Sequence, residues 1–253
     1  MPRGARKESK SCFYHTIVQG INKEYIFGKE EYIQMYKKII SKKLKDSNVT
    51  ILAYCIMNNH AHFLMYSEKS AFISKYMQKL NIAYSTFYNK VNKRVGYVFR
   101  DRFYSQEILS QRQLYICLKY IHNNPVKAKI TKNMSEYKHS SYNEFFGEKC
   151  IIDDESLKLL FGTTKNFKEQ FNFIHNTLDD DNEIFIDIKE KNISDFIYEM
   201  EETYNKKINE MKNEKSILKN VIKEARNQTD VTIEELAQIL EVSKSTVGNY
   251  SKK

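Results

Sequence analysis

The feature that most limits the fold of this 253-residue chain is a pair of apolar, β-prone runs joined by two asparagines. The runs cover residues 49–57 and 60–66, and only Asn58 and Asn59 separate them. Asparagine tolerates the positive φ angles of a tight hairpin turn. We therefore predict two antiparallel strands, and their apolar content predicts that both are buried in a sheet.

The rest of the first half alternates between segments typical of strands and of helices. The predicted elements are a strand over residues 13–20, a helix over 30–44, the two hairpin strands, a helix over 73–92, a strand over 103–109 and a helix over 111–123. Pro125 is expected to limit the last helix, because the residue before a proline resists helical geometry. This order predicts an α+β fold of the ferredoxin-like type, an antiparallel sheet with helices on one face.

Charge is distributed unevenly along the chain. Residues 1–149 contain 26 Lys and Arg against 11 Asp and Glu, a net charge of +15; residues 150–210 contain 7 against 15, net −8; residues 211–253 contain 8 against 6, net +2. A basic segment suits a phosphate-rich partner. Residues 75–139 also interleave cations with aromatic rings, which can follow a nucleic-acid backbone and stack on unpaired bases. A solvated helix face with aromatic residues in the core is the alternative.

Composition also limits where the protein works. No apolar run is long enough for a membrane helix, and the charged N-terminal residues lack the apolar stretch of a secretion signal. The 4 cysteines are scattered without a CxxC pair, which favours reduced thiols over a disulfide framework or a zinc knuckle. We therefore expect a cytoplasmic protein with no membrane partner.

Two histidines, His60 and His62, occupy alternate positions of the second hairpin strand. Side chains at i and i+2 of a strand point to the same face, so both imidazoles can share a metal ion or reach one phosphate. The apolar residues that follow favour a buried, rigid strand, which would hold such a site in place. Two histidines hydrogen-bonded at a sheet edge would produce the same pattern.

The helix before Pro125 carries Tyr120 and Asn124 at i and i+4, one turn apart on the same face. An amide oxygen suits Mg²⁺ or Mn²⁺, and two imidazoles beside it favour Mn²⁺ slightly. Tyr120 could equally be an ordinary aromatic residue at the edge of the core. Periodicity alone does not select it among the 18 tyrosines of the chain.

Together these motifs resemble a known family. The HAH motif at residues 60–62, followed further along by YIHNNPVKA, resembles the REP-associated tyrosine transposases, which belong to the HUH single-tyrosine transposases. Similar segments are FYHTIVQGIN, AYCIMNNHAHFLMY and AYSTFYNKVNKRVGYVFRDRFYS, so the resemblance covers about residues 10–146. Phe99 and Asp101 depart from the family pattern in the segment that faces DNA.

The resemblance implies an enzyme that cuts and rejoins single-stranded or hairpin DNA, with Tyr120 as the nucleophile. It implies Mg²⁺ or Mn²⁺ held by His60 and His62, with Asn124 as third ligand. The covalent product would be a 5′-phosphotyrosine, which a 3′-hydroxyl can reopen without a nucleotide cofactor. A tyrosine hydroxyl ordinarily titrates near ~10, so metal and cations would assist it. The basic residues expected at the DNA are Arg100, Arg102, Lys119 and Lys127.

The C-terminal residues 232–250 predict a helix-turn-helix that binds DNA. Ser243 can cap the second helix, although Glu241 stands where the turn usually has a glycine. A small helical oligomerisation unit is the alternative. The residues at the spacing that packs two short helices are Leu236, Leu240, Val242 and Val247. Those expected to meet DNA are Lys244, Ser245 and Thr246.

We thus predict three parts: a catalytic domain over residues 1–149, an acidic and mostly helical connection over 150–210, and a DNA-binding domain over 211–253. A monomer and a homodimer are both compatible with one nucleophile per chain. Two other functions stay open. An HUH nickase that starts replication or conjugation would cut without joining a second strand, and an inactive DNA-binding regulator would form no covalent adduct.

Overall fold

The computed structural model describes residues 8–147, 149–177, 193–229 and 231–251. The chain forms two compact units, residues 1–186 and residues 187–253. Helices from the segment predicted to be a connection occur in both units. The predicted division into three parts with boundaries after residues 149 and 210 stays a prediction.

The first unit is built on an antiparallel sheet with the strand order β2-β3-β1-β4. The strands are β1 (Phe13–Gln19), β2 (Thr50–Ile56), β3 (His60–Tyr66) and β4 (Tyr104–Glu107). The β2–β3 hairpin pairs from Ile56 opposite Ala61 to Thr50 opposite Tyr66. The predicted sheet, including the hairpin that closes at two asparagines, is confirmed.

The helices of the first unit follow the predicted order. They are α1 (Glu30–Leu44), α2 (Ser70–Val91), α3 (Gln111–Lys127), α4 (Asp154–Phe161) and α5 (Phe167–Thr177), with short 3-10 turns at Ile21–Lys23, Met134–Glu136 and Tyr142–Phe145. Among the described residues of the whole chain, the helices are too short or too polar to cross a membrane.

The prediction that Pro125 limits α3 is wrong, because the helix continues to Lys127. Proline removes one N–H donor, but the carbonyls around it are still satisfied. The Asn124 carbonyl accepts from the Ala128 N–H at 2.9 Å, and the Pro125 carbonyl accepts from the Ile130 N–H at 2.9 Å. Asn124 therefore lies inside the helix, one turn after Tyr120.

Helices cover both faces of the sheet, which corrects the expectation that they lie on one face. On one side the ring of Phe63 in β3 lies 6.3 Å from the ring of Tyr36 in α1, and α1 packs against α2. The neighbouring His62 points to the opposite face, because successive strand residues alternate. There its ring centroid lies 5.8 Å from that of Tyr120 in α3. The face that carries the histidines is thus covered by α3.

The second unit is helical over its described residues. Its helices are α6 (Ile193–Tyr204), α7 (Lys215–Gln228), α8 (Ile233–Ile239) and α9 (Lys244–Tyr250), with a 3-10 turn at Met211–Asn213. Three of the residues predicted to pack α8 on α9 are buried in its core, and the fourth, Val242, is partly buried against it. The buried three are Leu236, Leu240 and Val247.

Both short helices of this unit begin at a capping side chain. Thr232 accepts a hydrogen bond from the Glu235 N–H, and Ser243 accepts one from the Thr246 N–H, so the predicted cap at Ser243 is present. Glu241, in the turn between them, has a φ of 52°, the left-handed region that favours glycine. DNA binding by this pair of helices stays a prediction.

Candidate active site

The two histidines of the HAH motif lie side by side on β3 and are fully buried. His60 pairs with Gln19 of β1 and His62 pairs with Ile17, so the motif sits in the interior of the sheet. Their ring centroids are 4.9 Å apart. The two-residue spacing thus places both imidazoles on the face that α3 covers.

His60 is oriented by its sequence neighbour. Its Nδ1 lies 2.6 Å from the side-chain oxygen of Asn59. An amide oxygen can only accept, so Nδ1 carries the proton and donates, and the lone pair of the neutral ring lies on Nε2. The second asparagine of the turn therefore fixes which nitrogen of His60 can bind a ligand.

His62 is oriented by a third histidine, which no sequence motif indicated. His15 of β1 places its Nε2 3.1 Å from Nδ1 of His62, and the two rings stack with centroids 5.3 Å apart and planes 10° from parallel. The other ring nitrogen, Nε2 of His62, is buried and has no hydrogen-bond partner among the described residues. An alternating strand pattern puts His15 on one face of β1, but only the pairing of β1 with β3 shows that this face is shared with His62.

Burial keeps the three imidazoles neutral. Loss of water lowers the pKa of His15 to about 3. Loss of water, followed by the charge of Lys23, lowers the pKa of His60 to about 3. The pKa of His62 is lowered well below its usual value by burial first and then by the two neighbouring histidines. At neutral pH each ring therefore keeps a lone pair.

Tyr120 reaches this cluster from α3. Its ring stands edge-on to two histidines, with centroids 5.7 Å from His15 and 5.8 Å from His62. The side chain is only 5% exposed, and its hydroxyl oxygen is buried. Lys127, two turns further along α3, holds its Nζ 4.7 Å from the centre of the Tyr120 ring. A strand and a helix that are distant in sequence thus converge on one small volume.

Asn124 lies on the same face of α3 and is 4% exposed. Its side-chain nitrogen donates to the Tyr120 carbonyl at 3.0 Å. The amide group is therefore held by its nitrogen, and Oδ1 is the atom that can serve as a ligand. In the part of the chain that the structure describes, no group of three or more His, Cys, Asp and Glu side chains is arranged to hold a metal ion.

The basic residues expected at DNA are spread over several places. Arg100 lies beside the histidine cluster, since its Nη1 donates to the Gln19 side chain at 3.3 Å and Gln19 pairs with His60.

The other three cations lie elsewhere. Arg102 is exposed two residues further on, and Lys127 is exposed next to Tyr120. Lys119 is half-buried near α5, where its charge lowers the pKa of His175.

The three residues predicted to meet DNA in the second unit lie at the start of α9. Lys244 and Ser245 are exposed, and Thr246 is half-buried. Lys244 forms an ion pair with Glu234 of α8 at 3.3 Å, and Ser245 and Thr246 are hydrogen-bonded to the hydroxyl of Ser243. Their contact with DNA stays a prediction.

Comparison with known proteins shows what most of the first unit is similar to. Residues 8–124 match the model of the family described as transposase IS200-like, a little under half of the chain. The match includes both histidines of the HAH motif, Tyr120 and Asn124. This part of the chain is similar to the IS200-like transposase family. The family supports a transposase function, which in general terms is the cutting and joining of DNA.

Two solved structures are similar to the chain. A REP-associated tyrosine transposase bound to a REP hairpin is 18% identical, covers 59% of this chain and 88% of its own, and has a TM-score of 0.49. A putative transposase from Deinococcus radiodurans is 12% identical, covers 54% of this chain and 96% of its own, and has a TM-score of 0.34. No curated protein matches the sequence.

Proposed function

We propose that the first unit cuts and rejoins single-stranded DNA, with Tyr120 as the nucleophile. The observation that carries the proposal is the convergence of Tyr120 with His62 of β3 and His15 of β1, at 5.8 and 5.7 Å between ring centroids. Tyr120 is part of the hydrophobic core, and its ring also stands edge-on to two imidazoles whose lone pairs are kept by burial.

His60, His62 and Asn124 fit a divalent metal ion. The supporting observation is His62 Nε2, a buried nitrogen without a hydrogen-bond partner in the described part of the chain. Two neutral imidazoles and one amide oxygen form a mixed donor set that suits Mn²⁺ and is acceptable to Mg²⁺. A bound ion would polarise the scissile phosphate and offset charge on its oxygens.

Tyr120 would attack the phosphorus of a backbone phosphodiester. The Oη–P bond forms as the bond from phosphorus to the 3′ oxygen breaks, and the phenol proton is balanced by the proton gained at the 3′-hydroxyl. Lys127 supports this step, because a cation 4.7 Å from the ring favours the developing phenolate. The product is a 5′-phosphotyrosine, and attack by a 3′-hydroxyl of another strand reverses the chemistry and completes the transfer.

His15 acts in this proposal as a positioning residue. If Nε2 of His62 offers its lone pair to the metal ion, Nδ1 of His62 carries the proton and donates to Nε2 of His15. His15 then fixes both the tautomer and the ring plane of His62. Asn59 does the same for His60 through its side-chain oxygen.

We further propose that the DNA partner is single-stranded or carries a hairpin, and that the helices α8 and α9 add a second DNA contact through Lys244, Ser245 and Thr246. The similar REP-associated tyrosine transposase is bound to a REP hairpin. Because each chain has one proposed nucleophile, two cuts require a homodimer or two successive reactions.

The test is a covalent adduct. Purified protein, Mn²⁺ or Mg²⁺ and labelled single-stranded hairpin DNA should give a species that survives denaturation. Tyr120→Phe should abolish it, and a chelator should suppress it. The matched control is Tyr115→Phe on the same helix, whose hydroxyl donates to the Leu160 carbonyl away from the histidines. An adduct that persists in Tyr120→Phe would refute the proposed nucleophile.

Adding a second strand with a free 3′-hydroxyl separates strand transfer from nicking. A transposase should join the two strands in the absence of a nucleotide cofactor. A protein that forms the adduct but never joins the acceptor strand would act as a nickase. A protein that binds hairpin DNA without any adduct would be a regulator.

A further inference from the structure

A groove with a volume of about 1030 Å³ runs along the outer face of α2. Its second wall is the segment 96–103, which precedes β4. Both walls belong to the first unit, and the groove lies outside the cluster of His15, His60, His62 and Tyr120. Its composition differs from that of an ordinary solvated surface.

The α2 wall is a stripe of uncharged hydrogen-bonding side chains. Residues 74, 78, 81, 85 and 89 repeat at intervals of four and three, so they share one helix face. The stripe consists of Ser74, Gln78, Asn81, Ser85 and Asn89. The side-chain oxygens of Asn81 and Asn89 are buried and have no hydrogen-bond partner within the described ranges. Amides that can both donate and accept suit the edges of nucleic-acid bases.

The opposite wall offers an aromatic ring and cations. Tyr97 is 83% exposed, which leaves its ring open to the groove. Arg100 and Arg102 are exposed on the same segment, and Lys75 faces them from α2, against the single acidic lining residue Asp101. An open ring can stack on an unpaired base, and cations can follow its phosphates.

The groove is preformed. The Asn89 side chain donates to the Gly96 carbonyl at 2.9 Å, and Gly96 makes the turn with a φ of 102°. Arg94 is held by an ion pair with Glu24 and donates to the Tyr97 carbonyl at 3.2 Å. These contacts fix the backbone that carries the aromatic ring relative to α2.

The same segment touches the end of the sheet next to the candidate active site. The Arg100 N–H donates to the Gln19 carbonyl at 2.9 Å, and Gln19 is the cross-strand neighbour of His60. The segment that forms the second wall of the groove therefore also reaches the part of the sheet next to His60. This continuity and the charge of the rim both favour DNA as the occupant.

We propose that this groove binds an unpaired DNA strand and selects its sequence. Tyr97 stacks on a base, the amides of Gln78 and Asn81 contact base edges, and Arg100 and Arg102 contact phosphates. The inference rests on the proposed function, because the strand held here is the one that Tyr120 would cut. It adds a site of sequence recognition apart from the chemistry.

The experiment measures binding of a labelled pool of randomised single-stranded DNA in the Tyr120→Phe background, so that no strand is cut. Tyr97→Ala should weaken binding by roughly five- to hundredfold, the range for loss of one stacked base. The double variant Gln78→Ala, Asn81→Ala should flatten the sequence preference found by sequencing the bound fraction. Alanine favours helix, so α2 should keep its stability, which thermal unfolding checks.

Matched controls are Tyr198→Ala, another exposed tyrosine, and Gln34→Ala, an exposed amide of α1. Both should bind like the parent. A duplex version of the pool should bind more weakly and be insensitive to Tyr97→Ala; equal loss with duplex would overturn the assignment to an unpaired strand. The groove would be refuted as a DNA site if both groove variants bound single-stranded DNA with the affinity and sequence preference of the parent. It would also be refuted if the parent did not bind the DNA.

Failure of the groove proposal can be distinguished from failure of the proposed cleavage chemistry. The adduct assay uses the chain with Tyr120 intact, whereas the binding assay uses Tyr120→Phe. An adduct that depends on Tyr120, together with groove variants that bind like the parent, would refute the groove alone. Groove-dependent binding without any adduct would refute the proposed chemistry alone.

Discussion

Two pairs of stacked histidines are buried in the first unit, and they differ in how their nitrogens are used. His15 and His62 approach to 3.1 Å between ring nitrogens, and His122 of α3 and His175 of α5 approach to 2.8 Å. Both pairs are neutral, because burial lowers the pKa of each ring. Residue type, burial and ring geometry therefore do not distinguish them.

The distinction lies in the remaining nitrogens. His175 Nδ1 donates to the Phe171 carbonyl at 2.8 Å, so its Nε2 accepts from His122 Nδ1. His122 Nε2 is then an acceptor and receives the hydroxyl of Ser141 at 2.8 Å. Every nitrogen of this pair is used inside the protein, whereas Nε2 of His62 has no partner in the described residues. A satisfied pair holds helices together; an unsatisfied one is available for a ligand.

Removing one histidine of each pair should affect different properties: activity for His62 and stability for His122. The loss of activity at His62 is the largest effect that we expect. His62→Ala should slow adduct formation by about 10²–10³-fold, the usual loss when a group that stabilises charge is removed. His122→Ala should instead lower the free energy of unfolding by about 1–3 kcal/mol, because Ser141 and His175 lose a buried partner. Adduct rates per folded molecule and denaturant unfolding measure the two effects. Equal losses of activity in both variants would contradict the distinction between the two histidine pairs.

Acid should destabilise the first unit through His175. Burial lowers the pKa of His175 from 6.5 to about 4, so the unfolded chain takes up the proton first. Protonation of His175 therefore costs the folded state nothing well above pH 6.5. The free energy of unfolding falls as the pH drops from 6.5 towards 4, by about 3 kcal/mol for this residue at 1.36 kcal/mol per pKa unit. Denaturant unfolding at several pH values should show this slope, and His175→Asn should reduce it. An unchanged slope would contradict the assignment.

Replacing His15 should weaken metal binding without removing a ligand. For His15→Ala we expect a loss of about 10–100-fold in Mn²⁺ affinity, typical of partners that orient a ligand. Electron paramagnetic resonance of free Mn²⁺ gives the affinity, and NMR of His62 should show that its tautomers become mixed. His139→Ala, a change at another buried histidine of the same unit, is the control. Mn²⁺ affinity that matches the parent would exclude a positioning role for His15.

The smallest effect is expected at Lys127. Lys127→Met removes the cation over the Tyr120 ring and should slow adduct formation by about two- to fivefold, the equivalent of an exposed cation–π contact. Lys129→Met provides the comparison, since Lys129 is exposed just beyond the end of α3. Equal rates in the two variants would show that Lys127 does not act on Tyr120.

Predictions agreed best with the structure where they depended only on residues close together in the sequence. The bounds of α1 and β3 agree with those predicted from apolar spacing, and the turn at Asn58 and Asn59 joins β2 to β3. The error at Pro125 arose because proline disfavours the α region in the residue before it, and tertiary packing of α3 overrides this local preference. The helices on both faces were also missed, because the strand pattern fixes alternation but does not say which helix covers which face.

Amino-acid order is enough to predict the hairpin, the shared face of His60 and His62, and the one-turn spacing of Tyr120 and Asn124, because these depend on the periods of a strand and a helix. Tertiary packing brings His15 into the cluster, places α3 over it, and makes α2 and segment 96–103 enclose a groove. Each of these depends on which strands pair and on contacts between residues far apart in the chain. Such contacts depend on the packing of the whole unit, and the periodic spacing of residues in the sequence does not predict them.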